Sequence, residues 1–357
     1  MPGLADHFRN VLIGGAVGDA LGLPREGLSR RRAGRLFGNP PLRHRLILGR
    51  GMISDDIEHA CMVAQALLAS GGEPNAFAAS LAWRLRFWFA ALPAGVGMAT
   101  AKACIKLWLG FSPQHSGVWS AGNGPAMRAA ILGAYAWNDL PQLASLVAGS
   151  TQLTHRDPAA QHGAMAIALA AALAVRCGQE NRSVDAGEYV ALAGAYLAST
   201  PMLSLIEDAV QKARAGLTLQ EYLESRGLGR GISGYVNHTA PACLFAWLAS
   251  PTDFRSALEQ VIVAGGDADS TGAIVGALAG LSAGRQSIPR EWVSGIVEWP
   301  RSVRWIEGLA NRLADDCEAP VKSRRAAAMF WPGVLPRNMG FLVIVFAHGL
   351  RRLLPPY

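Results

Sequence analysis

The chain has 357 residues, 51% of them hydrophobic and only 17% charged, which is ample for a buried core and the wrong balance for a disordered chain. Its formal net charge is +7, carried mostly by arginines: Arg30, Arg31, Arg32 and Arg35, then Arg43, Arg45 and Arg50, with smaller pairs at Arg324–Arg325 and Arg351–Arg352. Such clusters are solvated basic faces or patches for anionic partners, and no zinc-finger spacing, RNP-like motif or helix-turn-helix signature points to nucleic acid.

The N-terminus has no signal-peptide core, because Asp6, His7 and Arg9 interrupt it. Five cysteines, at 61, 104, 177, 243 and 317, form no CxxC pair. Their odd number is a poor disulfide framework and fits a reducing, cytoplasmic setting. Residues 8–22 predict a helix with a glycine-rich face. Residues 23–53, rich in Pro, Gly and Arg, predict a long loop. A helix follows over 55–69, with Ile57, Cys61, Ala64, Leu67 and Leu68 on one face.

Further helices are expected at 76–91, 98–109, 125–137, 140–148, 158–177, 186–198, 203–215, 240–249, 253–264, 269–282 and 301–315. Alternating strand patterns are nearly absent, connections are short, and no repeat divides the chain. The expectation is one all-α domain over 1–318. Residues 319–357 form a separate, proline-interrupted extension with an apolar stretch at 339–350. That stretch is too short to span a bilayer, and no other reaches about 20 apolar residues. It suits a core-docked helix, a dimer contact or membrane-surface contact through 339–354.

Two acidic clusters stand at predicted helix starts. The first is Ser54-Asp55-Asp56. The second is Asp267-Ala268-Asp269-Ser270, preceded by two glycines and followed by Gly272, Gly276 and Gly280, a smooth face for close helix packing. Each cluster read alone is a helix cap. Read together, two helix starts with two carboxylates and a hydroxyl each could form one hard-oxygen cation site. Four carboxylates brought together could not all stay ionised without one.

At these residues the sequence resembles the ADP-ribosylglycohydrolase family, which holds dinitrogenase-reductase-activating glycohydrolase and the ADP-ribosylarginine hydrolases. The matching segments run in order: GGAVGDALGLPRE (14–26), GMISDDIEHACM (51–62), SAGNGPAMRAA (120–130), LTHRDPAAQHGA (153–164), GYVNHTAPA (234–242) and GGDADSTGAIVGALAG (265–280). The resemblance implies a compact, orthogonal multi-helix fold with two Mg²⁺ or Mn²⁺ ions held by Ser54, Asp55, Asp56, Asp267, Asp269 and Ser270. It implies catalytic roles for Asp55, Asp56 and Asp269, with Glu26 as the acid/base on a mobile loop. It implies a diphosphate-cradling turn at Ser120, Gly122, Asn123 and Gly124, His155 near diphosphate and ribose, and Tyr235 near the cleft. Ile57 stands where many members have Thr, and Gly95 where arginine-specific members often carry Asp.

The implied activity is hydrolysis of ADP-ribose from a modified protein, foremost from arginine, with immunity to a partner ADP-ribosyltransferase toxin as one role. The alternatives are another ADP-ribose linkage (serine, O-acetyl-ADP-ribose, nucleic acid) or a non-catalytic protein that binds ADP-ribose or a toxin.

Overall fold

The computed structural model describes residues 3–318 and 326–355. The Arg324–Arg325 pair, Pro320 and the last terminal proline, Pro356, lie outside the described residues. Among those described the architecture is all-α, with a single pair of two-residue strands. In chain order the first helices are α1 (Leu4–Gly22), α2 (Arg30–Phe37), α3 (Asp55–Ser70), α4 (Pro74–Ala90), α5 (Met98–Trp108) and α6 (Pro113–Ser116). The middle of the chain carries α7 (Ala130–Tyr135), α8 (Leu140–Gln152), α9 (Pro158–Gln179), α10 (Ala186–Leu197), α11 (Pro201–Arg214) and α12 (Leu219–Ser225). The last third carries α13 (Val236–Ala249), α14 (Phe254–Ala264), α15 (Ala268–Ala283), α16 (Arg290–Ser294), α17 (Val303–Glu318) and α18 (Val334–Arg351).

The expected long loop over 23–53 is wrong in part. Leu23–Arg25 form a 3₁₀ turn and Arg30–Phe37 form α2. Its arginines favour helix; Arg30, Arg31 and Arg35 stay in solvent and Arg32 is half-buried against the Arg352 carbonyl, while Ala33 alone is buried. The expected helix at 125–137 is broken into a 3₁₀ turn at Ala126–Arg128 and the short α7. Short helices α6, α12 and α16 fall in stretches whose sequence shows too few turns of periodicity to announce them.

Helices α1 and α15 form the axis of the fold. They run antiparallel, with Gly14 against Gly276, Gly18 against Gly272 and Gly22 against Ala268. A Cβ at Gly18 would lie 1.9 Å from the Gly272 carbonyl oxygen, so the two backbones touch where side chains would otherwise stand. This contact sets the C-terminal end of α1 beside the N-terminal end of α15. Helix α3 joins them there, because the Ser54 N–H donates to Asp19 Oδ2 at 2.7 Å. Helix α9, wholly apolar along its buried face, backs the assembly.

The strands tie the loop after α1 to the glycines before α15. Leu28–Ser29 pair antiparallel with Gly265–Gly266. Gly266, at φ +82°, would put a Cβ 2.0 Å from the Ile232 carbonyl oxygen, so only glycine lets three segments meet here.

Helix α18 docks on this domain by one face. Phe341 packs with Leu23, Leu46 and Ala94. Arg337 donates to Glu298 at 2.6 Å and to the Ile53 carbonyl, and Asn338 donates to the Ala91 carbonyl. Two helical segments, Pro158–Gln179 and Trp331–Arg351, are long and apolar enough to cross a bilayer by length and composition, against the expectation that no stretch is. The first is 78% buried in the core. The second is longer than its apolar stretch alone suggests, because the helix begins upstream of 339.

Gly18→Ala should destabilise the fold by about 3 kcal/mol, since a methyl must push two backbones apart. Gly194→Ala, on α10 with open space at its Cβ, should stabilise by about 0.5–1 kcal/mol. Urea unfolding of both variants checks this; equal midpoints would refute the backbone contact.

Candidate active site

The loop after α1 and the starts of α3 and α15 open into one cleft of about 530 Å³. Glu26, Asp55, Asp56, Asp267, Asp269 and Ser270 line one side; Ser120, Gly122, Asn123, Gly124 and His155 line the other. Among the described residues no lysine or arginine lines it. Helix geometry explains the convergence: the antiparallel glycine contact brings the end of α1 to the start of α15, and the Asp19–Ser54 bond adds the start of α3.

The charges are crowded. Burial first and the Asp267 carboxylate second push Asp56 up to about 7, opposed by the Ser270 and Ser54 hydroxyls. Asp55 is raised well above the carboxylate range by burial and then by Asp56. Asp269 is raised by burial and then by Glu26. Glu26 sits exposed at the rim, yet its carboxyl is raised by desolvation among its neighbours and by Asp267, against the pull of Arg352.

Asp19 is the residue that sequence reasoning missed. It is fully buried, its pKa raised by burial and by Asp56, and its Oδ2 accepts from Ser54 N–H. Its signal was an acid set in the apolar run 11–22 of α1.

Three buried carboxylate oxygens have no hydrogen-bond partner: Asp19 Oδ1, Asp56 Oδ1 and Asp269 Oδ1. Unpartnered carboxylate oxygens of this kind are hard donors that suit a divalent cation of the Mg²⁺ or Mn²⁺ type. Among the described residues no three His, Cys, Asp or Glu side chains close to ligand spacing as they stand.

The two acidic clusters differ in their capping. Ser54 is the N-cap of α3: its Oγ accepts from Asp56 N–H at 3.3 Å and donates to Asp56 Oδ2 at 3.0 Å. That hydroxyl is therefore committed to the helix, and Ser54 is not in the cleft wall. Asp267 begins α15, but its side chain makes no cap bond. It accepts instead from Asn123 Nδ2 at 2.6 Å.

The glycine turn is built differently from a nest of free N–H groups. Gly122 N–H donates to Ser120 Oγ and Asn123 N–H donates to the Gly234 carbonyl. The glycines are required because the His155 ring lies beneath them. A Cβ at Gly122 would lie 3.0 Å from its Nε2 and one at Gly124 3.0 Å from its Cε1. Burial, then Arg128, lowers His155 to about 3, so the ring is neutral. Arg128 Nη2 donates to Thr154 Oγ1 at 2.8 Å, and that hydroxyl pairs with His155 Nδ1 at 2.9 Å. With Thr154 as the donor in that pair, the imidazole proton sits on Nε2, under the turn.

Tyr235 is not brought into the cleft. Its side chain is 42% exposed and its hydroxyl accepts from Asn237 Nδ2; only its backbone, bridged to Gly122, shapes the wall. Gly95 lies beside Asp55, where an added Cβ would be 3.4 Å from Asp55 Oδ1.

Behind α3, Glu58 accepts from Arg301 and from Trp88 Nε1, both at 2.6 Å. Arg352, just past α18, donates to the carbonyls of Glu26 and Pro24. The extension thereby grips the loop that carries Glu26.

A helical domain whose cleft sets five acids against a neutral histidine has the make-up of a hydrolase, the class to which its family match assigns it. The chain belongs to the ADP-ribosylglycohydrolase family, whose model matches residues 1–322. An uncharacterized protein of Archaeoglobus fulgidus is 30% identical over 317 residues, covering 87% of this chain and 96% of that protein. The ADP-ribosyl-[dinitrogen reductase] glycohydrolase of Rhodospirillum rubrum is 26% identical, covering 82% of this chain and 91% of that one. The ADP-ribosylarginine hydrolase Tri1 of Pseudomonas putida is 28% identical, covering 87% and 78%. A solved ADP-ribosylglycohydrolase-related protein complex has a chain that superposes with a TM-score of 0.63 at 25% identity, covering 88% of this chain and 99% of that one.

A carboxyl whose pKa is raised on folding binds a proton in the folded state, so these acids weaken the cation-free fold as pH rises toward and past about 7, the value for Asp56. A divalent cation replaces the proton. Millimolar Mg²⁺ or Mn²⁺ should raise the melting temperature by about 5 °C at about pH 8 and by far less at about pH 5. A shift of equal size at both pH values would rule out the carboxylates as its source.

Proposed function

We propose that this hydrolase releases ADP-ribose from arginine side chains of modified proteins, with two Mg²⁺ or Mn²⁺ ions in its acidic cleft. The observation that carries the reading is the set of carboxylates that Glu26, α3 and α15 bring to one cleft, with buried Asp19 behind them; one oxygen each of Asp19, Asp56 and Asp269 is buried without a partner. The cleft's lack of lysine or arginine favours a cationic leaving group such as guanidinium over an acidic one. Two relatives bear names for removal of ADP-ribose from a protein or from arginine.

Asp55, Asp56, Asp267, Asp269 and Ser270 would hold the ions, with Asp19 orienting Ser54 behind them. When bound, such ions supply a fixed positive charge for ribose hydroxyls and for a water molecule of lowered pKa. The reaction adds water across the bond between the ribose anomeric carbon and the guanidine nitrogen. The hydroxyl goes to carbon and the proton to the leaving nitrogen. Glu26, its carboxyl pKa raised by desolvation at the cleft rim, is placed to move that proton. Asn123 holds Asp267 in place through its amide. His155 offers its Nε2–H to a phosphate oxygen, and its neutrality spares the cleft a second charged state at working pH. The reading includes a cytoplasmic location and extends to reversal of the modification made by a partner ADP-ribosyltransferase toxin.

Release of ADP-ribose from arginine-, serine- and nucleotide-linked substrates, read by mass spectrometry with Mg²⁺ and with EDTA, tests the reading. Arginine-linked substrate should be cleaved, and EDTA should stop it. Glu26→Gln should lower kcat by about 10²–10⁴-fold, whereas Tyr235→Phe should change it by less than about twofold, as a side chain outside the cleft makes no transition-state contact. Full turnover in an Asp55→Asn, Asp56→Asn double variant would overturn the assignment. Tight ADP-ribose binding without release of any linkage would mark a non-catalytic binding protein.

A further inference from the structure

The outward face of α18 is apolar along its whole length. Leu335, Met339, Leu342, Val343, Phe346 and Leu350 recur at three- and four-residue steps and all are exposed, Val343 and Phe346 by 67% and 68%. The opposite face carries Val334, Arg337, Asn338 and Phe341, which are buried on the domain. A soluble monomer rarely leaves so long a stripe in water.

Three features narrow what covers it. The first is charge. Residues 319–357 contain no Asp or Glu, and the stripe runs into the exposed Arg351 and then Leu353 and Leu354. The second is a neighbouring turn. His348 bonds to the Leu46 carbonyl, so the turn after Leu46 adjoins the C-terminal part of α18. At its tip Leu48 is 98% exposed, and it is flanked by exposed Arg43, Arg45 and Arg50. The third lies at the other end, where Trp331 shares a surface groove with Trp83 and Phe87. Apolar projections ringed by arginine, with aromatic side chains alongside, are the make-up of a helix lying in a lipid interface.

Two other arrangements fit less well. In a symmetric pairing of two copies, the arginines at the end of one stripe would meet a partner stripe that supplies no acid. Crossing the bilayer would require pulling Arg337 off Glu298 and Asn338 off the Ala91 carbonyl. The helix is held flat on its domain.

We propose that α18 and the Ile47–Arg50 turn form a docking face for an anionic lipid bilayer, on which the helix lies parallel to the membrane plane. Val343 and Phe346 enter the acyl boundary, Leu48 enters as a second point, and Arg43, Arg45 and Arg351 meet lipid phosphates. This face is distinct from the acidic cleft, and its occupancy does not depend on which linkage the cleft hydrolyses.

Vesicle flotation of the full chain tests it, with vesicles of phosphatidylcholine alone or of equal parts phosphatidylcholine and phosphatidylglycerol. The protein should float with the anionic vesicles, bind the neutral ones at least about tenfold more weakly, and lose affinity as salt rises. A Val343→Asp, Phe346→Asp double variant should lose at least about 100-fold in affinity, and Leu48→Asp about tenfold. Both should keep the parent melting temperature and soluble ADP-ribose release. Point variants are used because removing α18 would also strip Arg337 from buried Glu298. Equal binding to both vesicle types, or none to either, overturns the proposal. So does a dimer, seen by light scattering, that the double variant converts to monomer.

Discussion

The structure depends on holding like charges together. Asp19, Asp55, Asp56 and Asp269 are buried or half-buried within one neighbourhood, with Asp267 and Glu26 beside them. Carboxylates left to themselves would separate or protonate. Here backbone geometry removes the first option. The α1–α15 contact is made by main-chain atoms, so the ends that bear the acids cannot drift apart by repacking side chains. The remaining options are a proton or a cation, and the raised pKa values with three partnerless oxygens are the imprint of that choice.

The opposite wall is organised by the same economy of charge. Arg128 is buried and saturates Ser150 and Thr154 while facing His59. Burial first, and then its positive field, keep His155 neutral, and its bond to Thr154 links it to that ring. A buried cation behind the histidine thereby yields a neutral donor in front. Glycines 122 and 124 supply the space for the ring, which gives their sequence position a reason other than anion binding through free N–H groups.

Much of this was legible in the residues. The four-residue spacing of Gly272, Gly276 and Gly280 announced a close helix contact, and the partner glycines on α1 were visible as well. The Asp-Asp and Asp-x-Asp-Ser clusters announced a shared site because their charges needed common compensation. Asp19 was not legible, because one acid within an apolar run has no local pattern; only the fold shows it facing Ser54. Tyr235 and Ser54 were placed by resemblance, and their side chains turned out to be spent on Asn237 and on the cap of α3. Helix α2 was hidden because its arginines bury almost nothing, so no apolar period marks it. The engagement of the extension was hidden for a further reason: Arg337 and Glu298 are far apart in sequence and belong to no motif.

That last pair bears on how small the protein can be made. The family match ends at residue 322, yet Arg337 lies beyond it and neutralises Glu298 and faces Glu58 inside the domain. A version trimmed to the matched region would keep Arg301 on Glu58 but leave Glu298 without its cation, at a cost of about 3–5 kcal/mol for that bare charge. The hydrolase and its appendage are thus one electrical unit, and the shortest stable form of this molecule is decided by an arginine rather than by the edge of a shared ancestry.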